Sequence, residues 1–180
     1  MKKRIALHTL GAVCCMICGI LACAAQTSFL PHYFNDSYLV LDILLCLTVA
    51  LGVCGGPAYG AFFGIFAGFL ADSTGGFGIS LLPLFYMLCG YAVSVVAQLI
   101  PNKNFVIYLI TGAVCTPIRA LVSVIYVMLC SGTIPIFDVA RYVCLPMILG
   151  TCLALPVMYP LGLLLTLPAR KSKKFIDKIM

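Results

Sequence analysis

Long apolar runs alternate with short polar breaks along nearly the whole chain. The runs cover residues 5–25, 38–54, 57–72, 79–99, 105–130 and 143–167. The breaks are Gln26 to Ser37, Gly55-Gly56-Pro57, Ser73 to Gly78, Pro101 to Asn104 and Ser131 to Tyr142. About 20 helical residues at ~1.5 Å each cross the roughly 30 Å hydrocarbon core of a bilayer. Each run is too long and too uniformly apolar for a half-buried strand, so the pattern predicts helices. The expected fold is an all-α integral membrane protein, one domain spanning residues 1–180, built as a bundle of about six transmembrane helices. The third run, at 16 residues or about 24 Å, is short, so either the bilayer thins there or the following loop dips inward under protein cover. Asn35, Asp36 or Ser37 is suited to cap the second helix, and Pro57 to begin the third. Pro117 lies inside the fifth run, and Pro146, Pro156 and Pro160 inside the sixth, where kinks are expected.

Polarity within the runs carries a second pattern. Nine of the sixteen glycines fall between Gly52 and Gly78, and Gly52, Gly56, Gly60, Gly64 and Gly68 recur every fourth residue, with Asp72 on the next step. Such a ladder makes an oblique groove along one helix face and lets another helix approach backbone to backbone. Glycine costs roughly 1 kcal/mol against alanine in an ordinary helix, so a ladder of them calls for a packing reason. The expected packing groove is Gly56, Gly60, Gly64 and Gly68, on a helix at the close-packed centre of the bundle. Gly11, Cys15, Gly19 and Cys23 form a second small-residue ladder on the first helix.

Composition sharpens the class. The chain is 63% hydrophobic and 9% charged over 180 residues, with a mean hydropathy of +1.17, more apolar surface than a soluble domain of this length hides from water. Lys2, Lys3, Arg4, Lys103, Arg170, Lys171, Lys173, Lys174 and Lys178 mark three places that the positive-inside rule assigns to the cytoplasm, whereas Asp36, Asp72 and Asp138 fall in or beside the opposite loops. Both termini are therefore expected in the cytoplasm, and the net charge of +6 reads as a topology signal; no nucleic-acid partner is implied. The basic start followed by an apolar stretch also resembles a signal peptide, but the succession of further runs fits an uncleaved first span. The tail 169–180 places Phe175, Ile176 and Ile179 on one face with lysines elsewhere, a pattern suited to lying on an anionic leaflet.

The eleven cysteines lie inside or at the edges of apolar runs. Cys15 and Cys18 form a C-x-x-C without a second pair, so the thiols read as small hydrophobes, and no metal site, disulfide or cofactor is expected. The chain has no Glu, and its two histidines, His8 and His32, sit at opposite edges of the expected bilayer. No catalytic triad, metalloprotease motif or phosphate loop is present, so no catalytic residues are expected and the protein is not read as an enzyme.

The informative charges are those inside the runs. An ionised side chain deep in a span needs a partner or water. Counted from Phe105, Arg119 lies about 21 Å along its helix, at a depth similar to Asp42 in the second run and Asp72 at the end of the third. Arg119 is expected to form an intramembrane charge cluster with Asp42 or Asp72. The competing reading is that Arg119 snorkels toward the headgroups on its long stem. Charge swaps between Arg119 and either aspartate discriminate the two.

Asp42, Gly60, Gly64, the run Gly68-Phe69-Leu70-Ala71-Asp72, Gly75, Gly78, Gly90-Tyr91 and Leu155-Pro156-Val157-Met158-Tyr159-Pro160-Leu161 together resemble the rod shape-determining protein MreD family, as do the size, the six runs and the basic ends. One departure is Cys54-Gly55-Gly56, which lacks the basic residues that family often carries in this turn. The resemblance implies a non-enzymatic component of the bacterial cytoplasmic membrane that works with MreC, a single-span protein, and through it with MreB and the peptidoglycan synthases. The glycine groove or the Gly11–Gly19 face would then receive a partner's membrane helix, or be filled by the protein's own helices. The alternative reading, from size and helix number, is the substrate-binding membrane subunit of an energy-coupling-factor-type vitamin transporter.

Overall fold

The computed structural model describes residues 2–29, 41–75, 81–100, 105–131, 141 and 144–176. Asp36, Asp138, Lys103 and the cap candidates Asn35, Asp36 and Ser37 lie outside them, as do residues 38–40 and 76–80. Among the described residues the protein is all-helical, without strands. The helices are α1 (Lys2–Ala24), which ends in a π-helical turn over Ala25–Phe29, α2 (Ile43–Gly55), α3 (Pro57–Gly75), α4 (Leu81–Leu99), α5 (Phe105–Ser131) and α6 (Leu145–Ile176).

Among the described residues four helices are long and apolar enough to cross a membrane, over Thr9–Ser28, Leu81–Leu99, Phe105–Ile125 and Leu145–Leu167. Their outward faces carry Leu10, Ile17, Leu88, Ile110, Leu121, Leu153 and Val157, all exposed. Such surfaces are stable in lipid and would be aggregation-prone in water.

The second helix departs from expectation in two ways. It begins at Ile43, because Asp42 leaves the helical region (φ −98°, ψ 77°) and caps it. At 13 residues it is about 20 Å long, shorter than the hydrocarbon core. Every residue from Ile43 to Cys54 is buried, an arrangement that shields a helix too short to match the bilayer behind longer neighbours. The glycine-rich helix was expected at the centre; α2 occupies that place, and α3 lies against it.

Small residues bring α2, α3 and α4 together. Gly52, Gly60 and Gly90 meet at one crossing: a Cβ added to Gly52 would fall 2.8 Å from the Gly90 carbonyl oxygen, and one added to Gly60 2.9 Å from Gly52 Cα. Gly64 lies against the backbone of Tyr86 and Met87, and Gly68 against that of Pro83 and Leu82. The order 60–90, 64–86, 68–83 makes α3 and α4 antiparallel. Gly56 stands apart from this groove. It is the one-residue turn between α2 and α3, at φ +104° with open space around it, a backbone conformation for which glycine is the default residue.

The other helices close the ring. Gly19 of α1 packs on Phe63 and Phe66, and the Cys23 Sγ lies 3.9 Å from the Leu70 oxygen, so α1 runs parallel to α3. On α6, Gly162 fits against Ala50, and Thr166 lies beside Gly55, parallel to α2. Gly112 of α5 fits against Leu155, and Phe105 and Tyr108 stack on Tyr159 at 5.1 and 5.2 Å between ring centroids. Successive helices therefore alternate in direction, and the start of α1 and the end of α6 lie at the same end of the bundle. Both small-residue faces anticipated as docking grooves for a partner helix are filled from within the chain. The last helix continues to Ile176, so the segment from residue 169 extends α6 instead of forming a separate surface helix; residues 177–180 and the tail's side chains are outside the description.

Pro117 sits inside α5 and has no N–H to give the Ala113 carbonyl four residues back. The Thr116 hydroxyl donates to that oxygen instead, at 3.2 Å, which spares an unpaired carbonyl in an apolar setting.

Candidate functional site

Asp42 stands immediately before α2 and is almost wholly buried, its side chain only 4% exposed. Its two oxygens have separate tasks. Oδ1 accepts from the Leu45 N–H at 3.1 Å, capping α2. Oδ2 accepts from the Tyr86 hydroxyl of α4 at 2.5 Å and faces Arg119 Nε of α5 at 3.4 Å. That last approach is an ion pair by distance, but the N–H is not aimed along it, so Nε has no hydrogen bond. The Asp42 backbone N–H points to the Thr151 hydroxyl of α6 at 3.4 Å, and that hydroxyl donates to the Met147 oxygen at 2.6 Å. One residue thus joins the start of the central helix to its neighbours, to α4 and α5 through its carboxylate and to α6 through its backbone N–H.

Arg119 is held from its other side as well. Its Nη1 donates to the Ser123 hydroxyl at 2.5 Å, and its guanidinium carbon sits 6.0 Å from the Tyr86 ring centroid, at the limit of cation–π attraction. Tyr86 is fully buried, so its hydroxyl depends on Asp42 for its one hydrogen bond. Within α2 the one hydroxyl, that of Thr48, donates to the Leu44 oxygen of its own helix at 2.8 Å.

Of the two aspartates expected near Arg119, the ion pair joins it to Asp42. Asp72 is half-buried near the end of α3, with Oδ1 buried and without a hydrogen-bond partner. Gly60, Gly64 and Gly68 lie against α4, and Gly56 forms the turn. Tyr86, Ser123 and Thr151 escaped sequence reasoning. A tyrosine in an apolar helix signals only an amphipathic ring, and hydroxyls three or four residues after a carbonyl ordinarily satisfy themselves along their own helix. Only the packing of α4 and α6 on α2 brings Tyr86 and Thr151 to Asp42, whereas Ser123 meets Arg119 one turn along their own helix.

Chemically the cluster is self-contained. Both carboxylate oxygens are engaged by groups of the protein itself, so the arrangement holds helices in register and does not present a free acceptor. Among the described residues no three His, Cys, Asp or Glu side chains gather as a metal would require, and none of the ten cysteines whose side chains are described is in a disulfide. A small apolar crevice of about 70 Å³ lies between α1 and α3, against Cys15, Met16, Phe62 and Phe66; sites for drug-sized molecules are ~300 Å³ or larger. Tyr86→Phe should destabilise the folded protein by roughly 1.5–3 kcal/mol, the worth of a hydrogen bond to a charged group, read as a lowered melting temperature in detergent. An unchanged melting temperature would show the hydroxyl to be idle.

Fold and site together define an all-helical bundle with membrane-length apolar helices, locked by an internal ion pair. The chain matches no protein-family model, no curated protein and no solved structure.

Proposed function

We propose that this protein is a non-enzymatic, multi-pass component of the bacterial cytoplasmic membrane, of the MreD type, that helps maintain rod shape as part of the cell-elongation machinery. In this reading all six helices are inserted, α2 and α3 within the shelter of the others, with both termini cytoplasmic beside their lysines and arginines. Its partners are an MreC-like single-span protein and, through it, MreB and the peptidoglycan synthases. The observation that carries the reading is the inward turn of the polar chemistry. Asp42, Arg119, Tyr86 and Thr151 bond to one another, and the glycine grooves are closed by the protein's own helices. What such a molecule offers its surroundings is a rigid apolar exterior, which suits helix-to-helix association in lipid.

The test is affinity capture of the tagged protein from membranes of its own host, together with its depletion. Co-purification of a single-span periplasmic partner and rounding of depleted cells are the expected results. Unaltered cell shape on depletion, with a vitamin-like molecule retained through detergent exchange, would replace this reading with the transporter-subunit one.

A further inference from the structure

Helix α5 is anchored in two different ways on either side of Pro117. Before it, Ile107, Tyr108, Gly112, Cys115 and Thr116 are buried. The Tyr108 hydroxyl reaches the Cys46 oxygen at 3.3 Å, and Phe105 and Tyr108 stack on Tyr159. After it, between Ile118 and Ile125, only Ala120 is buried. Val122, Ser123 and Val124 are half-buried, and among the described residues that stretch is tied to the bundle by the Arg119–Asp42 ion pair, by the Tyr86 ring beneath the guanidinium and by a thiol contact, Cys144 Sγ to the Ala120 oxygen at 3.7 Å. At the junction the backbone hydrogen bond that would stiffen the helix is missing, and a side-chain hydroxyl takes its place. Proline positions of this kind are where helices bend.

We infer that α5 is a hinged helix: its first half is fixed in the core, and the arm beyond Pro117 is latched to the bundle by Arg119 on Asp42. Neutralising the latch frees the arm to swing away from α2 and α4, which lets Arg119 carry its charge toward a polar surface instead of leaving it buried without a counter-ion. The arm continues to Ser131, and Ile125 lies eight residues, about 12 Å, beyond Pro117. A rotation of about 20°, the size of an ordinary proline kink, displaces position 125 by about 4 Å.

The experiment uses the full chain in lipid nanodiscs, with pairs of spin labels introduced as non-canonical amino acids so that the native cysteines stay untouched. One pair replaces the exposed Ile125 and Leu149 and reports on the arm; the other replaces the exposed Val106 and Val157 and reports on the fixed half. Asp42→Asn removes the charge while keeping an oxygen to cap α2, because asparagine caps as well as aspartate. The expected result is a 125–149 distance shifted or broadened by about 4 Å (the arm displacement above), with the 106–157 distance unchanged. Adding Pro117→Ala, which restores the donor to the Ala113 carbonyl, should suppress most of that change. An unmoved 125–149 pair, equal movement of both pairs, or a swing undiminished by Pro117→Ala would each overturn the hinge.

Discussion

Gly64→Leu should leave no folded protein to purify. A Cβ on Gly64 would press into the Tyr86 carbonyl and lie 2.9 Å from Met87 Cα. These are backbone atoms of α4, which cannot rotate aside as a side chain can. Overpacking a core that yields costs about 1–3 kcal/mol; here the whole length of α3 would have to lift from α4, against a total stability of only ~5–15 kcal/mol. Gly60→Leu should be as severe, because that position meets α2 and α4 together. Gly19→Ala is the contrasting substitution: its Cβ would meet only the rings of Phe66 and Phe63, at 3.0 to 3.3 Å, which can shift. The measurement is the yield of monodisperse protein in detergent and its melting temperature, with Gly19→Ala expected near wild type. A Gly64→Leu protein that purifies and melts like wild type would remove the backbone crossing as the source of stability.

The second large effect is expected at the ion pair. Arg119→Gln strands the Asp42 carboxylate in the interior with one hydroxyl and one N–H, and breaking a buried pair in this way costs about 3–5 kcal/mol. Asp42→Asn with Arg119→Gln should recover most of that loss. The asparagine oxygen still accepts from the Leu45 N–H, its amide N–H can donate to the Tyr86 hydroxyl oxygen in place of the bond that Oδ2 accepted, and no charge remains to be desolvated. A full charge swap is the wrong rescue, although the sequence suggested it. Arginine at position 42 has no acceptor, so it cannot cap α2 or serve Tyr86. Moving the arginine to position 72 fails for a different reason, since the ion pair joins Arg119 to Asp42. Unfolding of the four proteins in a double-mutant cycle measures the coupling. Equal stability of Arg119→Gln and the double variant would show that the two charges do not hold one another.

The two predictions rest on residues of unequal legibility. Gly60, Gly64 and Gly68 were visible because a four-residue period of glycines in an apolar run has little other use. Their counterpart, Gly90, was a lone glycine in a helix with no period of its own, and nothing local marks which helix a groove will receive. Gly56 belonged to the period by spacing, yet the turn claimed it, since a one-residue reversal needs a conformation with positive φ. Asp42 and Arg119 were legible as a pair because intramembrane charges are few and depth can be counted. Which aspartate Arg119 would choose was open, because depth along a helix says nothing of rotation about it.

The same division runs through the whole molecule. Composition and periodicity alone determined that the chain is helical, that it carries apolar helices of membrane length, and that a charge deep in a span needs a counter-charge, for these follow from the cost of placing unpaired polar groups in an apolar medium. The tertiary structure alone decided that the shortest apolar helix lies at the centre, that the chain fills its own grooves, and that Tyr86 and Thr151 complete the cluster around Asp42. Those outcomes depend on which faces meet, and a helix that is apolar on every side carries no mark of the face it will turn toward each neighbour.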